Sequence, residues 1–263
     1  MSQWSIEAII AIAQRAGAAI MQVYVQDFSV ESKADDSPLT AADMAAHRII
    51  CDELAALTPN VPILSEESKA TDWSERRTWA RYWLVDPLDG TREFVKKNGE
   101  FTVNIALIEG GQPVLGVVYA PALDYLVFGE RDVGAFAREG AHDAELFTQR
   151  PAPRPLRVAA SRSHLDTRTA AALEKMGPTQ RVGMGSSLKF CRIAQGQIDV
   201  YPRFGPTSEW DTAAAQCVLE AAGGAVLTLD GQPLRYNTKE SLLNPDFIAL
   251  GDVDLDFRSW LGE

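Results

Sequence analysis

The sequence predicts two unlike halves, an α+β half over residues 1–150 and an α/β half over residues 151–263. Three observations carry this expectation. Two helical apolar patterns open the chain, and strand-like runs then follow close together in sequence, which favours antiparallel pairing. The stretch Arg150-Pro151-Ala152-Pro153-Arg154-Pro155 breaks the pattern as a linker. Beyond it, strand and helix patterns alternate, as in α/β chains.

Ile6, Ile9, Ile10, Ala13, Ile20, Met21 and Tyr24 recur at helical spacing, so a helix is predicted over 4–24. Residues 25–39 read as a loop ending in Ser37-Pro38. A second helix is predicted from Thr40, as its N-cap, to about Leu57, with Pro59 beyond it. Residues 61–64 form a short apolar run, and 65–77 read as a polar, mobile connection. Tyr82-Trp83-Leu84-Val85 is a buried strand that enters the turn sequence Asp86-Pro87-Leu88-Asp89-Gly90-Thr91. Strands follow over 101–108, 114–119 and 125–130, the first two joined by a Gly110-Gly111 hairpin. In the second half, strands are predicted over 156–160, 198–201, 226–229 and 247–250. Helices are predicted over 166–176, 187–195 and 212–222, the last stopped by Gly223-Gly224.

Composition excludes several classes. A chain of 263 residues with 46% hydrophobic and 23% charged residues is ordinary for a globular protein. No uninterrupted apolar run reaches the ~18 residues of a membrane span. Glu7 and Arg15 interrupt the N-terminal apolar pattern, so neither a transmembrane span nor a signal peptide is expected. Cys51, Cys191 and Cys217 are odd in number and widely spaced, which fits a reducing compartment, and cytoplasmic is the expected location. Association with the inner face of the cell membrane is an alternative, although no basic amphipathic helix is visible. The net charge is −11 and no Lys/Arg cluster is present, so nucleic acid is not an expected partner. An acidic chain that handles a phosphate needs cations, and bound metal is one source.

Four segments could carry that chemistry. In Asp86-Pro87-Leu88-Asp89-Gly90-Thr91, two carboxylates three residues apart on a tight turn can converge on one point. Gly90 permits close backbone approach, and the N–H groups of Gly90 and Thr91 can face an anion. A plain Asp-rich turn reads the same. Leu64-Ser65-Glu66-Glu67-Ser68 follows another apolar run, yet paired glutamates in loops are usually just solvated. Trp210-Asp211-Thr212 offers Asp211 as a helix N-cap whose second oxygen can also ligate metal. Thr40-Ala41-Ala42-Asp43 fits a capping-box variant. Taken together they supply the oxygen donors of a hard-cation site.

These motifs, with Ser37-Pro38-Leu39-Thr40, Gly99-Glu100-Phe101-Thr102-Val103-Asn104-Ile105-Ala106, Gly185-Ser186-Ser187-Leu188-Lys189-Phe190, Tyr201-Pro202-Arg203 and Ala222-Gly223-Gly224, occur in one order. In that order the chain resembles the lithium-sensitive, magnesium-dependent phosphatases of the inositol monophosphatase superfamily. The Ser-Ser-Leu-Lys and Tyr-Pro-Arg segments favour its 3′(2′),5′-bisphosphate nucleotidase branch. The resemblance implies a layered αβαβα sandwich with the site between the halves. It implies two or three Mg2+ ions held by Glu66, Asp86, Asp89, Asp211 and the Leu88 carbonyl. It implies that Gly90 and Thr91 hold the scissile phosphate, and that a hydrogen-bonded Asp43/Thr91 pair activates water. Ser186, Lys189 and Arg203 would contact the nucleotide, and Glu66, Leu88, Asp89 and Asp211 would also border the substrate. The implied reaction removes the 3′-phosphate of adenosine 3′,5′-bisphosphate, or of its phosphosulfate form, in sulfate assimilation.

Other readings remain beside it. An inositol or sugar phosphatase shares the metal site, and an inactive metal- or nucleotide-binding module shares the fold. A phospho-aspartate phosphatase needs D-x-D-G-T, whereas Pro87 and Leu88 separate the carboxylates here. No P-loop or dinucleotide fingerprint is present. His47, His142 and His164 are isolated and read as surface or packing residues, and the six tryptophans read as core.

Overall fold

The computed structural model describes residues 5–26, 38–68, 71–160 and 167–261. Five layers stack on one another. The outermost pair of helices is α1 (Ile6–Tyr24) and α2 (Pro38–Leu57). They pack on a seven-stranded sheet of β1 (Ile63–Ser65), β2 (Arg81–Asp89), β3 (Thr102–Glu109), β4 (Gln112–Ala120), β5 (Tyr125–Glu130), β6 (Gly134–Glu139) and β7 (His142–Leu146). Its strands lie in sequence order, with β1 and β2 parallel and the rest antiparallel. The middle layer is α6 (Leu188–Ala194) and α7 (Ala213–Ala221). The second sheet has five strands in the order β11 (Ala225–Thr228), β12 (Phe247–Leu250), β10 (Val200–Arg203), β8 (Leu156–Ala160) and β9 (Thr179–Gly183). Beyond it lie α5 (Thr167–Met176) and a 3₁₀ turn at Phe257–Trp260.

Three apolar clusters glue the layers. Ile9, Ile10, Ile20, Ile50 and Leu54 meet Trp83, Val85, Ile105 and Val117 between the first helices and the seven-stranded sheet. Tyr82, Leu84 and Val118 on the other face meet Phe190, Val218 and Leu219 of the middle layer. Leu173, Met176 and Trp260 cover the far face of the second sheet. β2 and β3 are buried on both faces, which explains their near-continuous apolar runs. The two halves therefore share one core through α6 and α7. Helix α1 is long and apolar enough by length and composition to cross a membrane, yet seven of its residues, from Ile9 to Ile20, are buried within this fold.

The structure corrects several expectations. Helix α2 starts at Pro38, so Thr40 lies inside its first turn and is not its N-cap; proline at the first helical position is favoured because its fixed φ suits the helix. The connection 65–77 is not simply polar chain. It holds β1's end and a short helix α3 (Trp73–Arg76), whose Arg76 is buried with its guanidinium over the Trp73 ring. Strand β2 runs on through Asp89, and a further short helix α4 (Thr91–Val95) follows it. Strands β6, β7 and β9 were not expected. The predicted loop residues 27–37 and the predicted start of α5 at Asp166 lie outside the described residues. The Gly110-Gly111 hairpin forms as expected, both glycines having positive φ (55° and 75°), as a type I′ turn requires.

Close layer packing depends on missing side chains. A Cβ on Gly116 of β4 would lie 2.2 Å from the Ala214 carbonyl oxygen of α7. That neighbour is backbone and cannot swing aside. Gly116→Ala is expected to destabilise the fold by about 1–3 kcal/mol, read as a lower urea midpoint with an unchanged slope.

Candidate active site

β1 and β2 lead their C-terminal ends to one place. The Glu66 N–H donates to the Val85 carbonyl (3.1 Å), which extends the parallel pairing one residue beyond Ser65. On β2, Asp86 pairs with Asn104 and Asp89 pairs with Thr102, so three residue steps on one strand match two on the other. In a regular strand, residues three apart face opposite sides. The bulge adds one residue and returns both carboxylates to the same side. Asp86 Oδ1 accepts from the Leu88 N–H (3.0 Å) and closes the turn. Gly90 follows with φ +91°, and a Cβ there would lie 3.0 Å from the Glu100 carbonyl oxygen and 3.2 Å from Ser186 Cβ. The first N–H groups of α4 have no acceptor within the helix.

The other side of the cleft comes from the second half. The 3₁₀ turn Glu209–Asp211 is capped by Ser208, and the Asp211 carboxylate accepts the Ser208 N–H (2.9 Å). Asp211 is thus not the N-cap of α7, because its side chain reaches backwards to an N–H that precedes it. One oxygen each of Asp86, Asp89 and Asp211 can be chosen so that all lie within 4.8 Å of one another. A cavity of about 170 Å³ adjoins them, lined by Asp89, Gly90, Ser186, Lys189, Arg203 and Asp211. The Lys189 ammonium donates to the Ser186 carbonyl (2.9 Å) and sits over the Tyr201 ring. Arg203 donates to the Pro206 carbonyl (2.9 Å).

This concentration of carboxylates is electrostatically unfavourable as an isolated arrangement. Burial, then the charges of Asp89 and Glu66, hold Asp86 well above the usual carboxylate range. Burial and the Asp211 charge push Asp89 up to about 7, against the opposing pull of Lys189 and of the Ser187 N–H. Glu66 reaches solvent along part of its length, yet desolvation of its carboxyl and the nearby Asp211 push it up to about 7. Desolvation also raises Asp211, while the Ser208 N–H, Arg203 and Lys189 oppose the rise. Such a set of hard oxygen donors fits a divalent cation such as Mg2+, whose charge would reverse every one of these shifts.

The structure brings Asp86, Asp89 and Asp211 together with Glu66 close by, and Gly90, Ser186, Lys189 and Arg203 line the adjoining cavity; Leu88 is tied to the group through its N–H to Asp86. Asp43 lies on α2, buried, with its Oδ1 unpartnered; burial and the charges of Glu67 and Glu66 push it up to about 8. Among the described residues no hydrogen bond joins Asp43 to Thr91. Thr91 is exposed in the first turn of α4, while Asp43 is buried, within reach of the charges of Glu66 and Glu67. Sequence reasoning gave no role to Ser187, Thr102 and Asn104. The Ser187 N–H donates to Asp89 (2.7 Å), and its hydroxyl bonds Thr102 and Asn104 (2.9 Å each), so this trio fixes Asp89 from behind. Thr102 and Asn104 had a signal as polar residues within an apolar strand run, whereas Ser187 had only its place in the segment 185–190.

A family model described as the inositol monophosphatase family matches residues 2–250. The chain belongs to the inositol monophosphatase family. It is 52% identical over 238 residues to the 3′(2′),5′-bisphosphate nucleotidase CysQ of Escherichia coli (strain K12), covering 90% of this chain and 95% of that one. It is 50% identical over 244 residues to the nucleotidase of the same name from Salmonella typhimurium, with 92% and 98% covered. Among solved structures it is similar to CysQ from Bacteroides thetaiotaomicron, a bacterial member of the family, at TM-score 0.83 and 42% identity, covering 93% of this chain and 96% of that chain. Family members share the αβαβα layering described above, and that layering places the acidic cleft between the two sheets.

The raised carboxyls set the pH response of the metal-free protein. A carboxyl that titrates near 4 when unfolded and near 7 to 8 when folded binds its proton more tightly in the folded chain. Folding stability is therefore favoured at low pH by these groups and falls as pH rises through that window. With chelator present, Tm is expected to drop between pH 5 and pH 8. Added Mg2+ should raise Tm more at pH 8 than at pH 5, as thermal scans would show.

Proposed function

We propose that this chain is a magnesium-dependent phosphatase that removes the 3′-phosphate of adenosine 3′,5′-bisphosphate, or of its phosphosulfate form, as part of sulfate assimilation. The observation that carries the reading is the juxtaposition of two unlike charge sites along one cleft. Asp86, Asp89 and Asp211 converge on one point, and Lys189 and Arg203 line one cavity together with Asp89 and Asp211. A substrate with two anionic groups matches both, one group through a cation at the carboxylates and the other directly. A monophosphate leaves the second site without a partner. The identity with the named nucleotidases supports the same choice.

We assign two or three Mg2+ ions to Glu66, Asp86, Asp89, Asp211 and the Leu88 carbonyl. When bound, they would neutralise phosphate charge and acidify an attacking water. The chain's own groups do the rest. The N–H groups of Gly90 and Thr91 hold phosphate oxygens. Asp43 and Thr91 are the pair assigned to the water's proton. Asp43 keeps an unpartnered Oδ1, and cation binding at the neighbouring Glu66 would lower its raised carboxyl so that it can accept. The relay needs a hydrogen bond between Asp43 and the Thr91 hydroxyl that forms only in the loaded site. Water oxygen bonds to phosphorus as the bond to O3′ breaks, and O3′ takes a proton from solvent water, which gives phosphate and AMP, or adenosine 5′-phosphosulfate from the phosphosulfate form. Ser186, Lys189 and Arg203 orient the nucleotide. We take residues 1–150 as the half that carries most metal donors, and 151–263 as the half that carries Asp211 and the nucleotide contacts. Three unpaired cysteines, two of them buried, favour a reducing, cytoplasmic setting.

Phosphate release from adenosine 3′,5′-bisphosphate and from inositol 1-phosphate, with and without Mg2+, tests the substrate. The nucleotide should be strongly preferred, and only with Mg2+. Preference for inositol phosphate would overturn the assignment. Asp89→Asn removes a donor and should cost more than the roughly 10–100-fold loss that follows removal of a ligand's outer partner. Lys189→Ala should raise KM for the bisphosphate about tenfold or more, since a charge-assisted hydrogen bond is worth about 1.5–3 kcal/mol.

A further inference from the structure

Behind the acidic cleft lies a second buried polar assembly that the reaction does not use. Glu209 is 1% exposed and Arg76 2% exposed. Burial of two ionisable side chains is costly unless partners satisfy them. Here the partner is shared. The Asn237 backbone N–H donates to both Glu209 carboxylate oxygens (3.0 and 2.9 Å). The Asn237 side-chain oxygen accepts from Arg76 Nη1 (2.6 Å), and its Nδ2 donates to the Arg76 carbonyl (2.6 Å). Asn237 has φ +53°, a left-handed conformation that asparagine tolerates better than most residues and that turns its N–H and its side chain towards different partners. Arg76 also donates to the Lys239 carbonyl (3.3 Å) and to the Glu240 carbonyl. The Glu209 N–H meanwhile donates to the Leu242 carbonyl (2.8 Å). Segment 237–242 is thus gripped from both ends.

The two ends belong to opposite sides of the cleft. Arg76 closes α3, which ends the connection that begins at Glu66. Glu209 opens the 3₁₀ turn that ends at Asp211. A cavity lined by Glu66, Trp73, Arg76, Trp210 and Glu240 separates the two elements, so they do not simply pack into contact. We propose that Asn237 is a positioning residue: its bridge between Arg76 and Glu209 fixes the separation of the Glu66 loop and the Asp211 turn, and with it the cleft's affinity for a divalent cation. The proposal rests on the acidic cleft being a metal site, and not on which phosphate ester is cleaved.

Asn237→Gly isolates the bridge. It keeps the backbone N–H that serves Glu209, accepts the positive φ freely, and removes only the side-chain link to Arg76. Mn2+ binding to the substrate-free protein, followed by calorimetry, should weaken about tenfold or more, as outer-partner losses do at metal sites. The Mg2+ concentration for half-maximal phosphatase activity should rise in step, with kcat at saturating Mg2+ within about twofold of the parent. Asn237→Asp, which retains the oxygen facing Arg76, should recover part of the lost affinity. A lower Tm with unchanged Mn2+ affinity would overturn the proposal and leave the bridge a purely structural feature. Should Asn237→Gly not fold, Glu209→Gln reads the same affinity from the other end. Calorimetry reads metal without turnover, so a wrong substrate assignment leaves this result interpretable.

Discussion

Mutual repulsion among Asp86, Asp89, Asp211 and Glu66 is the constraint around which the rest of this structure is organised. Like charges a few ångströms apart in a partly buried cleft raise one another's pKa and oppose folding. The chain holds them there by anchoring one oxygen of each aspartate to a backbone N–H: Leu88 for Asp86, Ser187 for Asp89 and Ser208 for Asp211. Each aspartate still offers one oxygen to a common space within 4.8 Å of the others. None of the three donors is a flexible cation that could swing away. A lysine or arginine in direct pairing would have neutralised the carboxylates and removed their use as cation ligands. Lys189 and Arg203 offset the charge only in part, from a distance, which leaves an acidic cluster able to hold a metal ion.

That arrangement needs a stiff frame, because the donors come from both sheets. Stiffness comes from the middle layer. Helix α7 lies against β4 and β5 so closely that Gly116 and Gly129 cannot bear a side chain, and Gly224 approaches Leu219 and the Leu250 carbonyl in the same way. Apolar contacts on both faces of α6 and α7 join the sheets into one body. Relative motion of the two sheets would separate Asp211 from Asp86 and Asp89. Close packing several residues away is thus part of the site.

Much of this was legible in the sequence, and the failures have physical causes. Central strands β2 and β3 are buried on both faces and announce themselves as apolar runs. Edge strands do not. Four of the five β7 residues are exposed, and β9 borders the second sheet, so hydrogen bonding to a neighbour defines them more than any pattern does. Helices α3 and α4 have four and five residues, too short for periodicity to register. The carboxylate pair on the Asp86–Asp89 turn was visible, but the bulge that brings both to one side was not, because pairing register is not written in local sequence. Asp211 was recognised for its residue type and given the wrong capping role, since a carboxylate can satisfy an N–H on either side of it.

The mixed lining of the cleft, acidic and basic together, also explains how a chain of net charge −11 can accept a polyanion. Overall charge governs approach from a distance, where salt screens it within about 10 Å. Inside the cleft the local groups decide. Lys189 is held at the Ser186 carbonyl and over the Tyr201 ring, and Arg203 at the Pro206 carbonyl, so both cations are in place before a ligand arrives. Both also oppose the rise that desolvation gives Asp211, and Lys189 opposes the rise at Asp89. The same two side chains thus act through space on the carboxylates and line the cavity beside them. A substitution at either should therefore disturb carboxylates and cavity together, and the separation of those effects depends on distance from the aspartates.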